Sequence, residues 1–269
     1  MDAPLGIFDS GIGGLTVLKE VRKRLPSEDI VYFGDTARVP YGTKSKETVT
    51  RFSLDNVHFL KHFQTKIIIV ACNTASSLSL DALKDEFPMP IIGVIEPGAR
   101  AALARTRSGR VGVIGTKATI ASGSYEACLK RLDASVMVFS AACPLFVPFV
   151  EEGLTEGPVI EAVAKMYLDS LKHFDIDTLI LGCTHYPLLT RIIQAAIGDG
   201  VRLVNSAEET AGEAERMLKE LSLHAQRSPG AQTTQFYVSD EPEQFRIVGE
   251  RFLGSSIPAV AKVADHVRN

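Results

Sequence analysis

Short apolar runs recur along the chain, each stopping at polar residues. They are Leu5–Phe8, Ile30–Phe33, Ile67–Ala71, Ile91–Val94, Val111–Ile114, Val136–Ser140, Leu179–Leu181, Val201–Val204 and Phe236–Val238. Aliphatic runs this brief, bounded by turn residues, predict strands buried on both faces, as in a parallel sheet. Between most of them apolar residues fall three and four apart, as at Leu15, Leu18 and Leu25 or at Val49, Phe52, Leu60 and Phe63. That spacing predicts helices with one core-facing side. Strand and helix alternating in this way define the α/β class with parallel sheets.

The pattern also repeats at long range. Leu5-Gly6-Ile7-Phe8-Asp9-Ser10 echoes Val111-Gly112-Val113-Ile114-Gly115-Thr116, an apolar strand with a hydroxyl residue at its tip. Ile67 to Ala71 followed by Cys72-Asn73-Thr74 echoes Leu179-Ile180-Leu181-Gly182 followed by Cys183-Thr184-His185. These echoes favour two similar halves over a single nine-stranded sheet. Glu96-Pro97-Gly98 is the expected crossing between halves, and Asn205-Ser206-Ala207 the expected return. The expected division is residues 1–96 plus 207–269, carrying Cys72, and residues 97–206, carrying Cys183. After the return a helical pattern runs to Leu223, then a polar loop at Ser228-Pro229-Gly230, then a final strand and helix.

Composition narrows the function. The chain has 269 residues, 45% hydrophobic and 23% charged, an ordinary balance for a globular protein. A net charge of −3 with dispersed Lys and Arg gives no footprint for nucleic acid. No apolar run approaches a membrane span, and a strand beginning at Leu5 leaves no signal peptide. A cytoplasmic location with reduced thiols is therefore expected. None of Cys72, Cys128, Cys143 and Cys183 belongs to a C-x-x-C, and the histidines show no ligand spacing, so no metal is expected. Cys128, on a helical pattern, and Cys143, before Pro144, read as small buried hydrophobes.

Cys72 and Cys183 read differently. In parallel sheets the ligand crevice lies beyond the carboxyl ends of the strands, so both thiols are aimed at a binding site. Two similar proton carriers suit exchange at the α-carbon of an amino acid, where a proton leaves one face and another returns on the opposite face. A free thiol has a pKa of ~8.5, and a helix N-terminus can lower it toward neutrality. Each cysteine precedes a predicted helix start, where Pro187 suits the first turn. Asn73-Thr74 and Thr184-His185 can cap those helices, hold a carboxylate, or do both.

Asp9-Ser10-Gly11-Ile12-Gly13-Gly14 offers glycines and a helix start to a ligand, although a simple tight turn between strand and helix explains the same residues. It is not a dinucleotide fingerprint, since Thr16 stands where the last glycine belongs; Asp35 at the end of the next strand keeps that reading barely alive. A phosphate loop is excluded by the missing Gly-Lys-Ser/Thr ending. Tyr41-Gly42 follows the second strand on the ligand side, where a plain loop turn is the alternative. No lysine motif for pyridoxal phosphate is visible, and no cofactor is expected.

Together these residues resemble the glutamate racemases, cofactor-independent enzymes that supply D-glutamate for peptidoglycan. The resemblance rests on Asp9-Ser10-Gly11-Ile12-Gly13-Gly14, Pro40-Tyr41-Gly42, Ala71-Cys72-Asn73-Thr74, Gly115-Thr116, Cys143-Pro144-Leu145, Val150-Glu151-Glu152-Gly153 and Leu181-Gly182-Cys183-Thr184-His185-Tyr186-Pro187, in family order. It implies two flavodoxin-like α/β domains with mainly parallel sheets, pseudo-twofold related, with L- or D-glutamate enclosed at their interface. It implies Cys72 and Cys183 as the acid/base pair, Asp9 assisting on the Cys72 side, and Glu151 and His185 assisting on the Cys183 side. Substrate contacts are implied for Asp9, Ser10, Tyr41, Gly42, Asn73, Thr74, Thr184 and His185, and further for Thr116 and Thr119. Without the resemblance Glu151 reads as a surface carboxylate beside Glu152, and His185 as a capping or packing residue. Family members are commonly dimers, so a homodimer is expected. With only eight residues before Asp9, activation through an N-terminal extension is not.

Four other readings compete. Aspartate racemase belongs to the same superfamily, but His185 and the complete Asp9 to Gly14 block match the glutamate branch. A related one-thiol decarboxylase would not need both cysteines. A dithiol redox protein would pair Cys72 with Cys183, which requires close Cα atoms. A silent binding module of this fold would have no use for either thiol.

Overall fold

The computed structural model describes residues 3–228 and 230–263; Pro229 of the expected polar loop and the outermost residues of the expected first unit lie outside the described residues. All nine expected strands form, with their ends slightly moved: β1 (Leu5–Asp9), β2 (Ile30–Gly34), β3 (Ile67–Val70), β4 (Ile91–Gly93), β5 (Arg110–Gly115), β6 (Met137–Ala142), β7 (Thr178–Gly182), β8 (Arg202–Asn205) and β9 (Thr234–Val238). The helices between them are α1 (Leu15–Arg24), α2 (Lys46–Lys61), α3 (Asn73–Glu86), α4 (Ile95–Arg105), α5 (Lys117–Ala121) and α6 (Ser124–Leu132). They continue with α7 (Phe146–Glu151), α8 (Pro158–Lys172), α9 (Thr190–Ile197), α10 (Ser206–Glu220) and α11 (Pro242–Leu253). A tenth strand, β10 (Val260–Lys262), follows α11 and was not expected. It is a short edge strand ending in a lysine, too brief to carry an apolar run.

The strands make two wholly parallel sheets, of order β10-β9-β2-β1-β3-β4 and β6-β5-β7-β8. The order β2-β1-β3-β4 in the first recurs as β6-β5-β7-β8 in the second, which is the structural basis of the sequence echoes. In both, the strand that ends at a cysteine lies beside the strand that ends at a hydroxyl residue, where the winding reverses and a ligand crevice is expected.

Helices on both faces explain the uninterrupted apolar runs: Ile67 to Val70 and Leu179 to Leu181 are all buried. Each such Ile, Leu or Val contributes roughly 1.5–3 kcal/mol through its burial. One continuous core joins the sheets through α4 and α10, where Ala99, Ala102, Ala207, Ala211 and Ala214 are buried. Glu96-Pro97-Gly98, the expected crossing, lies in the first turn of α4. Pro97 is tolerated there because N–H groups of the first turn lack helical partners in any case. Among the described residues, no helix is long and apolar enough to cross a membrane.

Candidate active site

Cys72 is placed by the β1–β3 ladder. Ala71 N–H donates to the Phe8 carbonyl at 2.9 Å, and the chain then leaves the sheet into α3. The Cys72 Sγ caps that helix, accepting from the Ala75 N–H at 3.5 Å, and lies 3.5 Å from Ser10 Oγ. A helix start alone should lower a thiol pKa. Here burial outweighs it and, with the neighbouring Asp9 charge, pushes the Cys72 thiol up to about 12. Asp9 is itself fully buried at the end of β1, which raises its carboxyl pKa against the opposing charge of His185. Its Oδ2 accepts from the Gly11 N–H at 2.9 Å, and its Oδ1 has no hydrogen-bond partner among the described residues.

Cys183 ends β7, but no α-helix starts behind it, contrary to expectation. Pro187 has no N–H to donate to the Cys183 carbonyl four residues back, so the turn tightens. Tyr186 N–H bonds to the Cys183 carbonyl and Leu188 N–H to the His185 carbonyl, both at 3.1 Å, in a 3-10 turn over Tyr186–Leu189. The helix α9 begins only at Thr190. The positive partner of this thiol is instead His185, whose Nδ1 lies 3.8 Å from Sγ. Its Nε2 lies 2.9 Å from Glu151 Oε1, at the end of α7. Burial disfavours the imidazolium, yet the hydrogen bonds to Cys183 and Glu151 prevail and raise the His185 pKa to about 10. Phe252 of α11 stands edge-on to the His185 ring, with centroids 5.4 Å apart.

Contacts between the halves set how these loops face each other. Thr74 Oγ1 lies 2.9 Å from Thr116 Oγ1 and 3.3 Å from Thr119 Oγ1. Tyr125 Oη donates to Asn73 Oδ1 at 2.7 Å, leaving Asn73 Nδ2 with no hydrogen-bond partner among the described residues. Gly13 is required by close approach: a Cβ there would fall 2.2 Å from Thr184 Oγ1 and 2.5 Å from His185 Cε1.

The loops enclose a cavity of about 380 Å³, in the range of small-molecule sites. Of the residues singled out in the sequence, Ser10, Tyr41, Gly42, Cys72, Asn73, Thr74, Thr116, Glu151, Cys183, Thr184 and His185 line it. Asp9 and Thr119 do not; they are buried behind the wall, Asp9 beneath Cys72 and Thr119 beneath Thr74 and Thr116. Lys117, Val147 and Pro148 also line the cavity and had no sequence signal of their own. Cys143 is fully buried and Cys128 lies in the helical core, and burial raises both thiols. Among the described residues, no group of three His, Cys, Asp or Glu side chains gathers to hold a metal.

Two like-wound α/β halves thus each bring a thiol to one cavity. Residues 15–214 match the Asp/Glu/hydantoin racemase family. The chain is 54% identical over 260 residues to the glutamate racemase of Geobacter metallireducens, spanning 97% of this chain and 96% of that one. Among solved structures, glutamate racemase isoform RacE1 from Bacillus anthracis has a TM-score of 0.94 at 43% identity, covering 98% of each chain. The glutamate racemase of Francisella tularensis, solved in complex with D-glutamate, has a TM-score of 0.91 at 39% identity and also covers 98% of each. The chain belongs to the glutamate racemase family of isomerases.

Proposed function

We propose that the two thiols interconvert L- and D-glutamate without a cofactor, in the cytoplasm, and that the D-glutamate serves peptidoglycan synthesis. The observation that carries this reading is that Cys72 and Cys183 open onto one cavity from the ends of β3 and β7, equivalent strands of two sheets wound alike. The lining residues from Ser10 to Thr74 belong to the first of the two units and those from Thr116 to His185 to the second.

In either direction one sulfur, as thiolate, takes the α-proton: the C–H bond breaks, an S–H bond forms, and the electron pair stays on the α-carbon. The other sulfur, as thiol, then delivers its proton to the opposite face. The enzyme is left with thiol and thiolate exchanged, ready for the reverse reaction. Burial and Asp9 keep Cys72 protonated before substrate binds, which suits it to act first as the acid. The His185 imidazolium sits where negative charge develops on the Cys183 sulfur, and Glu151 holds it there. The carbanionic intermediate needs its carboxylate gripped by fixed donors. Asn73 Nδ2 and the hydroxyls of Thr74 and Thr184 supply them at the cavity wall.

The test is proton NMR with optical rotation in D₂O, without added cofactor. Loss of the α-proton signal and of rotation from both glutamate enantiomers is expected. Exchange on L-aspartate alone would move the protein to the sister reaction, and no exchange from folded, reduced protein would overturn the proposal.

A further inference from the structure

One wall of the cavity is a short loop, and the five residues Val39 to Thr43 all line it. Beneath that loop lies a buried polar circuit that the proton-transfer steps do not use. Arg38 extends from the 3-10 turn after β2, only 18% of its side chain exposed, and its guanidinium reaches three partners. Its Nε donates to Asp35 Oδ2 at 2.6 Å, its Nη1 to Asp55 Oδ2 at 2.6 Å and its Nη2 to Asn56 Oδ1 at 3.0 Å. Its Cζ stacks 4.2 Å over the Phe52 ring. The circuit closes through Tyr41: its hydroxyl donates to Asp35 Oδ2 and accepts from Asn56 Nδ2 at 3.1 Å.

The arrangement ties the loop to α2 on one side and to the end of β2 on the other. Val39 follows Arg38 directly, while Tyr41 sits mid-loop with its ring buried against Phe52. A planar fork is needed for this geometry, since one ammonium cannot face Asp35, Asp55 and Asn56 together. We propose that Arg38 is a positioning residue for substrate binding: it clamps Asp35, Asp55 and Asn56 around the Tyr41 hydroxyl and so holds the Val39–Thr43 wall in its binding geometry. The inference rests on the racemase reading and adds to it a determinant of affinity that never touches substrate.

The experiment compares R38K, Y41F and the R38K/Y41F pair with wild type in both directions of racemisation. KM for L- and D-glutamate should rise about tenfold in each single variant, with kcat falling much less, because the loop acts through binding. The paired variant should be no worse than the poorer single one, since both substitutions release the same loop. A purely structural Arg38 would lower Tm and the active fraction but leave KM at its wild-type value. That result, or KM effects that multiply in the pair, would overturn the inference. Should R38K not fold, D55N, which weakens the same guanidinium clamp from a residue outside the cavity lining, decides the matter by the same criterion. Wild-type turnover in the same runs separates failure of the racemase reading from failure of this one.

Discussion

Thr16 in α1 and Thr184 after β7 are joined by a buried hydrogen bond between the halves of the molecule, Thr16 Oγ1 donating to the Thr184 carbonyl at 2.9 Å. The same hydroxyl lies 3.0 Å from the Gly13 carbonyl, so its single proton is shared between the glycine-rich turn and the residue between Cys183 and His185. Thr16→Val keeps the shape and removes the donor, leaving both carbonyls without this partner. A cost of about 1–3 kcal/mol in stability is expected by urea denaturation. A fall in kcat/KM of about tenfold should accompany it, because the Cys183 loop loses its alignment. Thr16→Ser should restore both, and a fully active Thr16→Val would remove this bond from the account of the site.

The two thiols should be separable. Cys72→Ser and Cys183→Ser are each expected to lower racemisation by about a thousandfold or more, the scale of general acid–base catalysis. Each should still eliminate a good leaving group from one enantiomer of a glutamate analogue, since elimination needs proton removal from one face only. Near-normal racemisation in either variant would refute the two-base scheme. Equal loss of elimination on both enantiomers would refute the division of faces.

Glu151 should set the charge of His185. The imidazolium persists to about pH 10 in the folded protein, against an ordinary value of 6.5, because Cys183 and Glu151 outweigh its burial. A raised pKa means that the stability it contributes is fully present below pH 6.5 and is lost as pH rises through about 10. Glu151→Gln is therefore expected to destabilise the protein at neutral pH and to change it less above pH 10. The alkaline limb of kcat/KM should move down by about one pH unit. One direction suffices for the profile, as mirror-image products fix the equilibrium constant at unity. NMR titration of the His185 ring is the check; an unmoved titration would show that Glu151 does not hold the proton.

Lys117 should draw the anionic substrate in. Of the charged residues lining the cavity, Glu151 and His185 pair with each other, while Lys117 has no ion-pair partner among the described residues. Lys117→Met is expected to raise KM about fivefold and to weaken the fall of kcat/KM with added salt, the behaviour of a steering charge. Lys117→Arg should retain both properties. Salt dependence identical to wild type in Lys117→Met would remove the residue from that role.

Much of this architecture was legible in the chain itself. Runs such as Ile67 to Val70 and Leu179 to Leu181 announce strands buried on both faces, because only a covered parallel sheet leaves no polar alternation. The strand-end rule then placed Cys72 and Cys183 at ligand positions, and both line the cavity. What spacing along the chain does not encode is which loops meet. Glu151 reaches His185 from 34 residues away, and by itself is a half-exposed carboxylate at a helix end. Arg38 and Lys117 carry no local pattern that separates them from other surface cations.

The tertiary structure also altered the chemistry of residues already singled out. Behind Cys72 the expected helix start exists, but burial and Asp9 overrule its effect on the thiol. Behind Cys183 the helix is delayed by Pro187, and the imidazolium of His185 takes its place. The sequence by itself determined the strands, the doubled winding and the two strand-end thiols, because local hydrophobic pattern dictates what must be buried. Only the folded chain decided which wall each loop faces and which charges accompany each thiol. Those depend on α4 and α10 packing the halves into one core and on the desolvation that follows.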